Sequence, residues 1–260
     1  MSKRNNFFGS KTSLSPRTIA FLAATGITDT TIANALNTMD LALIANGLDA
    51  KIQALYPYVG GTATTHKFNF MNPADTDAAY RITWFGGVTH DANGVTGNGL
   101  NGYGQTYWPL TAGNLYNRCF SFYQRTCASE TKLNGYYDGS RAFSMTLNSS
   151  VSPKKIIYQG LNNASPLSVD YNFGFLAASI PSSAANAAFY FNISSVVYNI
   201  TAGSSPTTGT MPTLAMVPAV GSYTSRNLAF EHYGAALTSA ELITLSGIVT
   251  AFQTALSRNV

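Results

Sequence analysis

The chain has 260 residues, 45% of them hydrophobic and 12% aromatic but only 10% charged, with 22 Gly, 10 Pro and 2 Cys. That excludes a disordered chain, which needs high charge and few aromatics, and a disulfide scaffold, which needs far more cysteine. The net charge of +4 is spread thinly apart from Lys3-Arg4 and Lys154-Lys155, and no apolar run reaches the roughly 20 residues of a bilayer span, so neither a nucleic-acid partner nor membrane insertion is expected.

The first 15 residues show no periodicity. Lys3, Arg4, Phe7 and Phe8 make this segment an attachment arm, with the two rings as apolar anchor and the two cations as polar rim. Pro16 and a polar stretch separate Lys3-Arg4 from the short apolar run after Thr18, a pattern that argues against a cleaved signal. Helical signals follow over residues 16–61. Ser15-Pro16 is a cap with proline at the first helical position, and Gly26 ends that helix. Asp29 or Thr30 opens a second helix, in which Ile32, Leu36, Met39 and Leu43 recur at steps of four, three and four and form a narrow apolar seam. Two arrangements fit this seam: packing on the neighbouring helix or β domain, or self-association in a short stalk, with a homotrimer as the expected assembly.

From Tyr56-Pro-Tyr-Val-Gly-Gly61 onward Thr, Asn and aromatics replace the helical pattern. Residues 62–260 read as a β domain. Strands are expected at Tyr80–Phe85, Phe120–Arg125, Ala142–Leu147, Lys155–Gln159, Phe173–Ala177, Ala188–Ile193 and Ser195–Ile200, separated by Gly, Asn, Ser or Pro. Short strands at this spacing point to an antiparallel sandwich or jelly roll. Cys119 and Cys127 fall on one strand reading, where eight residues span roughly 26 Å, so both are expected as free thiols. Near the end, Thr238-Ser-Ala-Glu241 fits a capping box, and Leu242, Leu245, Val249, Phe252 and Leu256 form the stripe of a terminal helix packed on the domain.

Several stretches in order resemble one family. They are Thr25-Gly-Ile-Thr-Asp29, Asn46-Gly-Leu48, Tyr56-Pro-Tyr-Val-Gly-Gly-Thr62, Asn72-Pro-Ala-Asp75 through Arg81, Phe85-Gly-Gly87, Gly97-Asn-Gly-Leu-Asn-Gly-Tyr103, Leu237-Thr-Ser-Ala-Glu-Leu-Ile-Thr-Leu-Ser and Ala251-Phe-Gln-Thr-Ala-Leu-Ser-Arg258. Together they are similar to the concanavalin A-like, laminin-G-like module of tailed-phage and prophage virion proteins. The resemblance implies a mainly β fold, a two-sheet antiparallel sandwich with an N-terminal helical segment and a C-terminal helix. It also implies a head fibre or spike on the particle surface, with capsid or other virion proteins as partners and no cofactor.

Three functions remain in competition: a spike that binds a host-surface glycan, an architectural decoration protein, and a glycan-degrading enzyme. Sandwich glycosidases carry closely spaced carboxylates along one strand. Here Glu130, Glu231 and Glu241 stand far apart and none belongs to a Glu-x-Asp-x-x-Glu run, so the expectation is that the chain is not an enzyme. Asp75-Thr-Asp77 reads as the cap of a helical turn rather than a calcium pair. His66, His90 and His232 lack metal-ligand spacing and read as structural, and no metal site is expected. The loop from His90 to Trp108 holds the best binding chemistry. Asp91, Asn93, Asn98 and Asn101 would hydrogen-bond sugar hydroxyls, while Tyr103, Tyr107 and Trp108 would stack on a pyranose face.

Overall fold

A computed structural model describes residues 13–110, 117–126, 135–137, 142–148, 155–159, 165–168, 173–181, 186–191, 194–199, 209–217 and 222–260. The arm residues Lys3, Arg4, Phe7 and Phe8, and also Cys127, lie outside the described residues. Helix α1 (Pro16–Thr25) starts at Ser15, whose Oγ accepts the Thr18 amide, and ends at Gly26 with φ of 69°, a left-handed conformation suited to glycine. Helix α2 (Thr30–Ala45) is capped by Asp29, which accepts the amides of Thr31 and Ile32 at 2.7 and 3.1 Å. The two helices are tied by Ser15, whose amide donates to Asn37 Oδ1 at 2.7 Å and whose hydroxyl donates to Asp40 at 2.6 Å.

The helical segment does not run on to residue 61. Strand β1 (Ile52–Tyr56) pairs antiparallel with a late strand, placing Leu55 opposite His232 and Tyr56 opposite Glu231. The segment 16–61 is therefore built into the sandwich rather than set apart as a stalk. After the single turn α3 (Ala63–His66) come β2 (Thr83–Phe85), β3 (Thr89–Asp91), β4 (Gly94–Thr96), β5 (Tyr103–Leu110), β6 (Arg118–Gln124) and β7 (Gly135–Tyr137). Next are β8 (Ala142–Asn148), β9 (Lys155–Gln159), β10 (Ser165–Ser168), β11 (Gly174–Ile180), β12 (Asn186–Phe191) and β13 (Ser194–Asn199). The chain closes with β14 (Gly209–Thr213), β15 (Met216–Val217), β16 (Asn227–Gly234) and helix α4 (Ser239–Ala255).

One sheet has eight strands in the order β13-β12-β11-β6-β16-β4-β3, with β1 also on β16. The opposing layer is made of a three-stranded sheet, β14-β5-β2, and a five-stranded one, β10-β9-β8-β7-β15. They meet where Tyr136 of β7 lies against Gly209 of β14. Among the described residues all strand pairings are antiparallel apart from the short β7-β15 contact. The fold is a two-sheet antiparallel sandwich of the concanavalin A-like kind, mainly β, with helices at both ends of the chain.

Alternation along the central strands builds two cores. Phe120 and Phe122 of β6, Leu176 of β11 and Tyr233 of β16 face Trp108, Leu110 and Met211 of the three-stranded sheet. Cys119 and Tyr123 of β6, Phe175 of β11 and Phe230 of β16 face the other way, under the helices, with Phe21, Leu245, Val249 and Phe252. Because both faces of the large sheet are covered, its strands carry apolar residues at most positions. Cys119 is a buried free thiol whose pKa burial pushes up.

This second core takes up the apolar seam of α2. Leu36, Met39 and Leu43 are buried in it and Ile32 packs at its margin. The expectation that these four residues join three copies is corrected: their own chain covers the seam, because α4 and the large sheet lie where the partner helices of a stalk would be. The stripe of α4 is buried in the same core, as its terminal-helix reading requires. The capping box is present, with Thr238 Oγ1 accepting the Glu241 amide at 3.2 Å and Glu241 accepting the Thr238 amide at 2.8 Å. Thr238→Ala should cost about 1 kcal/mol of stability, read as a lowered urea midpoint at unchanged slope.

Candidate functional site

Strand β5 alternates strictly. Gly104, Thr106 and Trp108 are buried while Tyr103, Gln105 and Tyr107 are half-buried, so the second set stands on the outer face of the three-stranded sheet. Register places Phe85 of β2 opposite Tyr103 and Thr83 opposite Gln105. The Phe85 and Tyr103 rings stack at 4.9 Å with an interplanar angle of 15°, and Tyr223 follows at 6.0 Å from Tyr103. Phe85 is 42% exposed, and Leu100 beside this strand is 77% exposed. Polar groups flank the rings: the Tyr107 hydroxyl lies 3.0 Å from Thr83 Oγ1, and the Gln105 side-chain amide bonds Thr210 Oγ1. The Tyr103 phenol is held above its ordinary pKa by burial and then by Tyr223 and Tyr107. It is a neutral donor at physiological pH.

Of the seven residues expected to bind a glycan, only Tyr103 and Tyr107 share this surface. Trp108 is 1% exposed and stacks on Tyr233 in the sandwich core. Asn98 is spent on its own loop, its Oδ1 accepting the amides of Leu100, Asn101 and Gly102. Asn101 Oδ1 accepts from Asn98 at 2.8 Å and from the Gly87 amide at 3.1 Å. Asp91 closes the β3-β4 turn by accepting the Asn93 amide at 2.7 Å, which puts both residues on the eight-stranded sheet instead. Asn and Asp near Gly satisfy turn backbones before they serve a ligand. Phe85, Tyr223, Thr83 and Gln105 were not legible as site residues. The period of two through Tyr103, Gln105 and Tyr107 was the signal that separates the outer face from Trp108.

The carboxylates and histidines singled out in the sequence bond to neighbouring groups of the fold. Asp75 pairs with Lys67 at 2.7 Å and Arg81 at 3.0 Å, and Asp77 pairs with Arg81 at 3.0 Å. The helical turn there is capped at Thr76 without a side-chain bond, so the cap reading of these carboxylates is replaced by an ion-pair network. The Lys67 bond, ahead of that from Arg81, holds the Asp75 carboxyl below its usual range. His66 accepts the Gly61 amide on Nε2 at 3.2 Å, which leaves Nδ1 to donate to His90 Nδ1 at 3.1 Å. Burial, with smaller effects of His90 and Arg258, lowers His66 to about 3. His232 points toward the helices with Nδ1 2.6 Å from Ser121 Oγ, and burial lowers it to about 3. Its neighbour Glu231 points the opposite way, as strand alternation requires, and accepts the Tyr58 hydroxyl at 2.6 Å and the Tyr233 hydroxyl. Among the described residues no group of three or more His, Cys, Asp or Glu is placed to hold a metal ion.

The helix-covered arrangement of two antiparallel layers gives the chain a mainly β, concanavalin A-like sandwich fold. No family model matches the sequence, and no curated protein matches it. Solved structures share the fold. A Trypanosoma rangeli sialidase mutant displaying trans-sialidase activity superimposes with a TM-score of 0.53 at 9% identity, over 86% of this chain and 38% of its own. Trypanosoma rangeli sialidase in complex with 2,3-difluorosialic acid gives 0.50 at 10% identity, over 79% and 33%. Domain 4 of a GH43 extracellular arabinanase from Geobacillus stearothermophilus, in complex with arabinotriose, gives 0.41 at 15% identity, over 75% and 98%. The chain thus spans little more than a third of the sialidases it matches.

The expectation that the chain is not an enzyme does not stand against these neighbours, since a part of each sialidase, 33 to 38% of its length, shares this fold. Lack of a Glu-x-Asp-x-x-Glu run speaks only against the two-carboxylate mechanism, and sialidases, with a tyrosine nucleophile, work outside it. At 9–10% identity the likeness is one of fold.

Proposed function

We propose that this chain is a carbohydrate-recognition module displayed on a phage particle, with the ledge of Phe85, Tyr103 and Tyr223 as its contact surface. The observation that carries this reading is the half-exposed aromatic row on a sheet face that the sandwich core does not use. Rings beside hydroxyl and amide groups suit a sugar, whose C–H face stacks on the ring while its hydroxyls find Tyr107, Thr83 and Gln105. The fold shared with sialidases supports recognition of carbohydrate, and the resemblance to phage modules supports the particle as its setting.

The test is a glycan array probed with the whole chain, followed by titration of the best hit. Tyr103→Ala and Phe85→Ala should each weaken that hit by about tenfold, the equivalent of about 1.4 kcal/mol, while the thermal transition stays cooperative. An array on which the wild type binds nothing, or a hit that both variants bind equally well, overturns the reading.

A further inference from the structure

Helices α2 and α4 lie side by side over the large sheet, and between them runs a groove of about 590 Å³. Asn34, Thr38 and Ala42 of α2 and Ile243, Gly247 and Ala251 of α4 are among the residues that line it. The groove opens on the outer side of the helical layer, away from the Leu36 and Leu43 side chains buried beneath. A helix at the surface of a soluble protein ordinarily turns charged side chains toward water. Of the 16 residues of α2 and the 17 of α4, only Asp40 and Glu241 are charged. Asp40 is buried against Ser15 and Arg17, and Glu241 pairs with Lys51 at 2.6 Å, so neither is a free charge on this face. The hydroxyls of Thr244 and Thr254 donate to the carbonyls of Ala240 and Thr250 on their own helix. Ile243 stands 50% exposed and Leu41 42% exposed. Glycine inside a helix is less stable than alanine, yet a Cβ added at Gly247 would meet no atom within 4 Å. The described residues give no reason for glycine there, whereas close approach of a surface from outside does.

Charge and area select the occupant. A charged partner finds no counter-charge on this face, and two copies of a chain with a net charge of +4 repel each other least across a surface that carries none. Two helices about 24 Å long and about 10 Å wide present roughly 500 Å² per copy, so a pair of copies buries roughly 1,000 Å², the lower limit of a specific interface and the range of weak, reversible association. The face also complements itself. Ile243, Gly247 and Ala251 recur at every fourth residue of α4, so an antiparallel pairing of α4 with its copy about a two-fold axis at Gly247 sets Ile243 of each chain against Ala251 of the other. Glycine at the axis lets the two backbones approach.

We propose that the outer face of α2 and α4 is a self-association surface, on which a second copy of this chain docks to form a two-fold dimer. The aromatic ledge stays free in each copy, because it stands on the outer face of the opposing layer. The test is sedimentation of the whole chain at concentrations from about 1 to about 500 µM, with an expected dissociation constant of about 10 to 100 µM. Ile243→Glu changes an exposed position, and Gly247→Leu adds a side chain into open space while improving helix propensity. Each should raise the dissociation constant about tenfold or more, without lowering the melting temperature of the dilute, monomeric protein. Tyr103→Ala should leave association unchanged. A wild type that stays monomeric at about 500 µM, an assembly of three copies, or a dimer that either variant leaves intact overturns the proposal.

Discussion

Leu36→Asp is expected to leave no folded protein. Leu36 is wholly buried in the core that α2 shares with α4 and the large sheet. Removing its side chain alone costs about 2 to 5 kcal/mol. A carboxyl group placed there must also be desolvated, and its pKa rises by about 3 to 5 units, so holding it neutral at pH 7 costs a similar amount again. The sum approaches or exceeds the roughly 5 to 15 kcal/mol by which a domain of this kind is stable. Circular dichroism and a urea titration should show no cooperative transition. The exposed Asn34, two residues earlier on α2, supplies the control: Asn34→Asp should change stability by less than about 0.5 kcal/mol. If α2 instead joined separate copies, Leu36→Asp would yield a folded, monomeric sandwich, so a native spectrum with a reduced sedimentation coefficient would overturn the intramolecular packing.

Stability should fall steeply as pH drops from about 6.5 toward about 4. His66 and His232 each have a folded pKa of about 3 against an ordinary value of 6.5, and burial lowers His90 as well. A histidine with a depressed folded pKa binds its proton more readily when unfolded. Its contribution is therefore complete above about 6.5 and is withdrawn as pH falls toward the folded value. Two such groups give a slope of about 2.7 kcal/mol per pH unit, at about 1.36 for each proton taken up on unfolding. The depressed carboxyls Asp75 and Glu241 lose their contribution only at lower pH, as it falls below their unfolded values. Urea midpoints at pH 7, 6 and 5 measure the slope, and a flat profile over that range would contradict the neutral, buried state of both rings. Because His66 Nδ1 donates to His90, protonation of His90 at that atom breaks their bond, and the Gly61 amide should then lose protection in acid, read as its exchange rate relative to the intrinsic rate at the same pH.

Local signals were readable where a few neighbouring residues decide the outcome. Ser15, Asp29 and the Thr238-Glu241 pair each cap a helix within two or three positions of themselves, so residue identity alone locates the helix starts. Apart from β10, which no expected strand covers, the strands from residue 142 to 200 fall within about three residues of their expected positions because turn residues bracket short β-favouring runs. Strand β16 escaped notice for the opposite reason. Its Glu231 and His232 look unlike an interior strand until Tyr58 and Ser121, distant in sequence, and Tyr233 on the same strand supply their hydrogen bonds. Strand β5 was hidden among Gly and Asn residues that read as a loop, and with it went the outer aromatic face.

The amino-acid order by itself determined the helix caps, the β-rich class and the apolar faces, because periodicity and capping act over one or two turns of chain. It settled that Leu36, Met39 and Leu43 are buried, since a repeat of four and three residues leaves no other stable outcome in water. What buries them was decided only by the tertiary structure, because a periodic apolar stripe is the same whether it meets a second copy or its own sheet. The same holds at the site. Tyr107 and Trp108 are adjacent and chemically alike in sequence, but strand pairing turns one outward and seals the other against Tyr233, and that direction depends on partners more than a hundred residues away.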